Sequence, residues 1–127
     1  MKATVWTVVI LFILIVAIGI TSAAVSAGIS KDFTSDLQDA EESIRSGGWE
    51  EAGAAVKDMA KEWEATCAWL QLWVNHYDTD EVNLGLERLQ AALEAQDTAL
   101  SLWAAAELSE SLRHIYHRDA LRLGNIL

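Results

Sequence analysis

WEEAGAAVKDMAKEWEATCAWLQLWV, residues 49–74, is the stretch that decides the fold. Its apolar residues Trp49, Ala52, Val56, Met59, Trp63, Cys67, Leu70 and Val74 recur at steps of three and four, the spacing that lays one stripe along a 3.6-residue helix. The pattern predicts an amphipathic helix of about seven turns. Immediately upstream stand Gly47 and Gly48, and glycine takes the left-handed conformation that a helix C-cap requires. They are expected to end a preceding helix, in which Phe33, Leu37, Ala40 and Ile44 form the apolar stripe and Asp36, Asp39, Glu41 and Glu42 lie elsewhere on the wheel.

Downstream the pattern restarts near residue 78. Asp78 followed by Glu81 has the spacing of a capping box, and Val82, Leu86, Leu89 and Leu93 then give the buried stripe of a third helix. Asp97 offers an N-cap for a fourth helix, running through Leu102, Ala105, Leu108, Leu112 and Ile115. The connections are short, so neighbouring helices are expected to be antiparallel. Leu121 to Leu127 is an apolar tail, expected to pack back on the helices. Composition agrees. Proline is absent, and in the 97 residues from Lys31 to Leu127 (127 − 30) only 10 are β-branched while 29 are Ala or Leu, so helix is favoured nearly everywhere.

The N-terminus is of a different kind. From Ala3 to Ser30 there is no charged residue, and Val5 to Ile20 is almost wholly aliphatic or aromatic. As a helix those residues would be about 42 Å long, against a hydrocarbon core of about 30 Å. A strand of that length would leave its backbone unpaired in lipid, so a transmembrane helix is the physical choice. A cleaved signal peptide is the alternative, with Val25, Ser26 and Ala27 as the small residues at a cleavage site. Against it, the apolar run exceeds the ~7–15 residues of a signal core and the basic flank is only Lys2 and the α-amine. The expected architecture is all-α: residues 1–30 a transmembrane anchor, residues 31–127 an acidic antiparallel bundle of about four helices. Lys2 places the N-terminus in the cytoplasm and the C-terminal domain outside the cell membrane, and Trp6 suits an interfacial anchor.

Charge bounds the partners. All 19 acids lie beyond residue 30 against eight Lys and Arg there, so the domain carries about −11 within a net −10 for the chain. Such a surface repels nucleic acid and anionic headgroups, so nucleic acid is excluded as a partner and the membrane is met through residues 3–30. Cys67 is the single cysteine, which excludes an intrachain disulfide or a thiolate zinc site, and its neighbours Trp63 and Leu70 point to a buried, inert thiol.

Several residues resemble a known family: Trp49 to Ala52, Trp63, the Asn75–His76 pair, Leu89, Asp97, Glu107 with Leu108, Ile115, and the terminal Leu121, Leu123, Asn125, Ile126 and Leu127. Together they are similar to the bacterial family called domain of unknown function 4363, over essentially the whole chain. Members are of similar length, begin with one hydrophobic segment and end in a comparable Asn-Ile-Leu or Asn-Ile-Phe tail. The family has no established activity to carry over. What the resemblance implies is an accessory role at a membrane, because members from Gram-positive, often spore-forming bacteria are frequently encoded beside a multi-pass membrane protein. Tyr77, Thr79 and the Trp69 and Trp73 pair depart from the family pattern.

Two clusters are candidate sites. By helix heights, His76 and His114 are expected at one level with His117 a turn beyond, and Asp78, Asp80 and Glu81 belong to the same end, an oxygen and nitrogen set for a divalent cation. The simpler reading is imidazoles meeting a helix C-terminal dipole without a metal. Glu107 sits among Trp103, Ala104, Ala105, Ala106 and Leu108, and antiparallel packing would set it level with Trp69 and Trp73, whose indole N–H groups are candidate donors. As a general acid it lacks any second carboxylate or nucleophile at a useful spacing. Trp69 lies about 600° around the helix from Trp63, so Trp63, Trp69 and Trp73 cannot all face the core. The outlier either packs under the tail or the first helix, or forms an aromatic site for a partner. No phosphate loop, zinc-protease motif or nucleophile elbow is present, so no enzyme activity and no cofactor are expected. The expected function is a membrane-anchored interaction or accessory domain serving an integral membrane partner on the outer face, with a divalent-cation or small-ligand module as the alternative. The oligomeric state is left open.

Overall fold

The computed structural model describes residues 1–72 and 75–124, and of these the side chains of 22–23, 25–31, 69 and 116–124 lie outside the described set. Among the described residues the fold is all helical, with no strand: α1 (Lys2–Arg45), α2 (Trp49–Leu70), α3 (His76–Glu94) and α4 (Thr98–Gly124). The apolar N-terminal segment and the first amphipathic stripe are one continuous helix of 44 residues, about 66 Å long. Its two parts differ in environment. Lys2–Thr21 is long and apolar enough to cross a membrane, with a mean hydropathy of 2.8 and none of it buried. Phe33, Leu37, Ala40 and Ile44 are all buried.

The turn after α1 is built as the glycine pair predicts. Gly47 takes φ +78°, and the amides of Gly47 and Gly48 donate to the carbonyls of Ile44 and Ser43 at 3.2 and 2.8 Å. Those two bonds satisfy the carbonyls that a helix end leaves over, the Schellman arrangement. The turn between α3 and α4 repeats it. Gln96 takes φ 52°, its amide donates to Leu93, and that of Asp97 donates to Ala92. Asp97 then caps α4, its Oδ1 accepting from the Leu100 amide at 2.9 Å. The start of α3 differs from expectation. Asn75 is the N-cap, accepting from the Tyr77 amide at 3.3 Å, so Asp78 falls in the first turn and no Asp78–Glu81 capping box forms. Asn is as good a cap as Asp, and capping three residues earlier adds nearly a full turn of helix. The described part of α2 ends at Leu70, about six turns, and Val74 lies outside the described residues. Helix α4 continues to Gly124, which makes Leu121–Gly124 its last turn; the expected packing of the tail lies outside the described side chains.

Each helix packs on two others: α1 on α2 and α4, α3 on α2 and α4. Phe33 of α1, Met59 and Trp63 of α2, Val82 and Leu86 of α3, and Leu108 and Leu112 of α4 meet in one layer of the core. Trp63, 1% exposed, holds this layer: Phe33 meets its ring edge-on at 5.8 Å, and its indole N–H donates to Asn83 Oδ1 at 2.8 Å. Gly85 lets α3 approach α4, since a Cβ there would lie 3.1 Å from Leu108 Cδ1.

The two hairpins are copies in pattern. Moving 49 positions along the chain, from Gly47 to Gln96, carries the buried residues of α1 and of α2 as far as Trp63 onto buried residues of α3 and α4. Phe33, Leu37, Ala40 and Ile44 map onto Val82, Leu86, Leu89 and Leu93; Ala52, Val56, Met59 and Trp63 map onto Ser101, Ala105, Leu108 and Leu112. The packing order has the same symmetry, because exchanging α1 with α3 and α2 with α4 leaves the set of contacts unchanged. The second copy carries two local costs that the first lacks. A non-glycine residue takes the left-handed turn, and the fully buried Ser101 hydroxyl has no hydrogen-bond partner.

Candidate functional site

The residues expected to share a cation divide between two helices. His76 opens α3 and is exposed, with Asp80 and Glu81 exposed beyond it, while Asp78 is buried. Thr79, fully buried, donates its hydroxyl to the His76 carbonyl at 2.8 Å. His114 lies on the exposed side of α4, its Nε2 3.4 Å from Glu110 Oε1. The His117 side chain lies outside the described residues. Among the described residues no three His, Cys, Asp or Glu side chains are placed to hold a metal ion. His114 belongs to a surface cluster. Arg113 donates to the same Glu110 oxygen at 2.8 Å. This hydrogen bond, with the charges of Arg113 and His114, holds the Glu110 carboxyl below its ordinary range and raises the Arg113 guanidinium.

Glu107 is half-buried, and its carboxylate is engaged by Arg88 of α3 at 3.3 Å. The reason is topological. Helices α3 and α4 are adjacent, whereas α2, which carries Trp69, lies across the core from α4 and meets it through core side chains such as Met59 and Leu108. The side chains of Trp69 and Trp73 lie outside the described residues. A carboxylate that meets water and a guanidinium lacks the dry setting of a general acid. Cys67 is buried as expected, with Gln71 Nε2 3.5 Å from its sulfur.

The Arg88–Glu107 pair marks a surface that the buried stripes leave out. Along α3 and its C-cap, Leu84, Arg88, Ala91 and Ala95 follow at steps of four, three and four, and all are exposed. Along α4, Leu100, Trp103 and Glu107 follow at three and four, with Trp103 57% exposed. One face of the α3–α4 hairpin therefore presents an exposed indole, two exposed leucines and small residues around a single ion pair. The sequence signal for it is register: Trp103 stands one residue past Leu102 on the stripe, about 100° around the helix, and so points out of the core. Aromatic side chains in such settings are the usual anchors of protein contacts.

No curated protein and no solved structure matches the chain. One family model does, over residues 21–126, from the end of the exposed apolar segment through α4. That match covers most of the chain, and the protein belongs to the family described as Domain of unknown function (DUF4363).

Proposed function

We propose that the protein is a membrane-anchored helical interaction module: α1 crosses the bilayer as an uncleaved single span, and its distal part forms an antiparallel four-helix bundle with α2, α3 and α4 that serves an integral membrane partner on the outer face. One observation carries the reading. The apolar stretch of α1, none of it buried, runs without a break into the stripe that builds the core. The large apolar side chains of this segment left in water would cost on the order of 1.5–3 kcal/mol each, and a bilayer removes that cost. Lys2 and the α-amine keep the N-terminus cytoplasmic, which sends the acidic domain outward. The exposed α3–α4 face with Trp103 at its middle is the partner surface.

The test uses the full chain in its native membranes. The protein should resist alkaline extraction, and a photocrosslinking residue at position 103 should capture one integral membrane protein that the same residue at the exposed Glu50 does not. Release by alkali, or recovery of the uncrosslinked chain alone from position 103, overturns the reading. A mature N-terminus near Gly28 would replace the anchor with a cleaved signal.

A further inference from the structure

We propose that the end of the bundle where α2 stops and α3 starts makes a second membrane contact, in which Leu72 and Tyr77 lodge in the lipid headgroup layer on the side of the bilayer where α1 emerges. The inference rests on α1 being the span. Its basis is height. Phe33 packs on Trp63, and Trp63 bonds to Asn83, so residues 33, 63 and 83 share a level. From Trp63 helix α2 travels seven residues back toward the N-terminal end of α1 to Leu70, which is level with about residue 26, and Leu72 follows in the turn beyond it. Tyr77 precedes Asn83 by six residues, which sets it level with about residue 27. The apolar window ends at Thr21, and twenty residues at ~1.5 Å each fill a hydrocarbon core of ~30 Å. Leu70 then stands about 8 Å, and Tyr77 about 9 Å, beyond the hydrocarbon edge, at the outer margin of a headgroup layer of roughly 5–8 Å, with Leu72 in the turn beyond Leu70.

Two further observations converge on this end. Among the described residues beyond Thr21, Leu72 at 72% and Tyr77 at 64% are the most exposed large hydrophobic side chains, and both lie at this end of the bundle. An exposed leucine and a tyrosine are costly in water and at home at a membrane interface, where the ring stays apolar and the hydroxyl wet. Charge is also arranged for it. After Glu110 the only acid is Asp119, while α4 descends toward the membrane carrying Arg113, Arg118 and Arg122. The exposed Asp80 and Glu81 sit some 14 Å beyond Thr21, clear of the headgroups. A lipid surface is thus met by the least acidic end of an acidic domain. With two attachments the domain would stand on the bilayer in one orientation instead of swivelling about α1.

The experiment is spin-label depth in the full chain, reconstituted in phosphatidylcholine vesicles with Cys67→Ala as background. Single labels go at L72C, Y77C, I10C and W103C. The ratio of oxygen to nickel-chelate collisions should be highest at 10, lowest at 103, and intermediate at both 72 and 77. A ratio at 72 and 77 equal to that at 103, with 10 still deep, overturns the second contact and leaves the anchor standing. A low ratio at 10 as well overturns both. Dipolar broadening between labels at 72 would assign the surface to a second copy of the chain and overturn the proposal.

Discussion

The pseudo-symmetry of the two hairpins predicts that the second can be improved by copying residues from the first. Ser101, fully buried with no partner for its hydroxyl, occupies the place of Ala52. A buried polar group left unmade costs ~1–3 kcal/mol, and Ala is also the better helix former, against which stands only the small void left by one oxygen. Ser101→Ala should therefore stabilise by about 1 kcal/mol. Gln96, at φ 52°, occupies the place of Gly47. Left-handed backbone costs an L-residue ~1–2 kcal/mol, and the extra freedom of Gly in the unfolded chain returns ~0.4–1, so Gln96→Gly should gain about 0.5–1 kcal/mol. The two sites are five residues apart, so their sum of roughly 1.5–2 kcal/mol is checked by the double variant. At ~4–8 °C per kcal/mol for a domain of this size, the double variant should melt roughly 6–15 °C higher. The assay is thermal unfolding of the full chain in detergent micelles, followed by circular dichroism at the helical band. Reversed substitutions in the first hairpin, Ala52→Ser and Gly47→Gln, should lower the midpoint by comparable amounts. A Ser101→Ala variant that melts at or below the parent would refute the reasoning, because the hydroxyl would then have to be satisfied.

Other outcomes follow from single contacts. Asn83→Ala leaves the buried Trp63 N–H without its acceptor and should cost ~1–3 kcal/mol, whereas in a Trp63→Phe background the same change should cost almost nothing; equal losses in both would remove the bond from the account. Gly85→Val drives a branched side chain against Leu108 at the α3–α4 approach and should destabilise by ~1–3 kcal/mol, read in the same melts. Ile13→Lys puts a charge mid-span at a cost of ~2.5–3.5 kcal/mol, less than the other large side chains return together at ~1.5–3 kcal/mol each, so that variant should stay in the alkali-resistant fraction while deletion of residues 5–20 should release the chain; retention of the deletion variant would argue against the span. Glu110 has its folded carboxyl below the ordinary value, so its stabilisation is present above the unfolded pKa and lost as pH falls through the folded one. Because the group is fully exposed, Glu110→Gln should shift the melting profile between pH 7 and 3 only slightly and only at low salt, and a loss that persists in high salt contradicts a purely surface pairing.

The buried stripes were legible because burial of one helix face imposes a period that survives any detail of tertiary contact. Phe33 to Ile44, Ala52 to Leu70, Val82 to Leu93 and Ala105 to Ile115 all point inward as their spacing requires. Caps were legible where one candidate stood alone, as at Asp97, and misread where two competed. Asn75 and Asp78 are both good N-caps, and the choice fell to the earlier one, which leaves Asp78 in the first turn of α3, where a carboxylate still meets the helix dipole. Gln96 gave no signal at all, since nothing in a glutamine announces positive φ; the repeat of Gly47 does, once the hairpins are superposed in register. Cross-helix pairs were the least legible. Height along the helices points Glu107 toward Trp69 and Trp73, whose side chains lie outside the described residues, and gives no sign of Arg88, which reaches Glu107 because α3 and α4 are neighbours, a fact that periodicity along one chain does not carry.

On the proposed reading, in which Lys2–Thr21 spans the bilayer, the unbroken α1 fixes the height of each surface above the membrane and so constrains the proposed partner. Leu108 and Leu112 lie in the layer of Phe33, so Trp103, about seven residues farther from the membrane along α4, stands level with roughly residue 40 of α1. From Thr21 that is about 28 Å of helix, well outside the headgroups. A partner that meets the Trp103 face must therefore present structure some 28 Å above the bilayer, which a membrane protein with only short hairpin loops on that side does not have. A partner held instead against the exposed face of α1 between Lys2 and Thr21 would need no external domain, and its helices would meet Val9, Phe12 or Val16 within the bilayer. Crosslinkers at position 103 and at position 12 separate the two geometries: capture at 103 requires a partner with a folded extramembrane part, and capture only at 12 places recognition in the span and leaves Trp103 to another use.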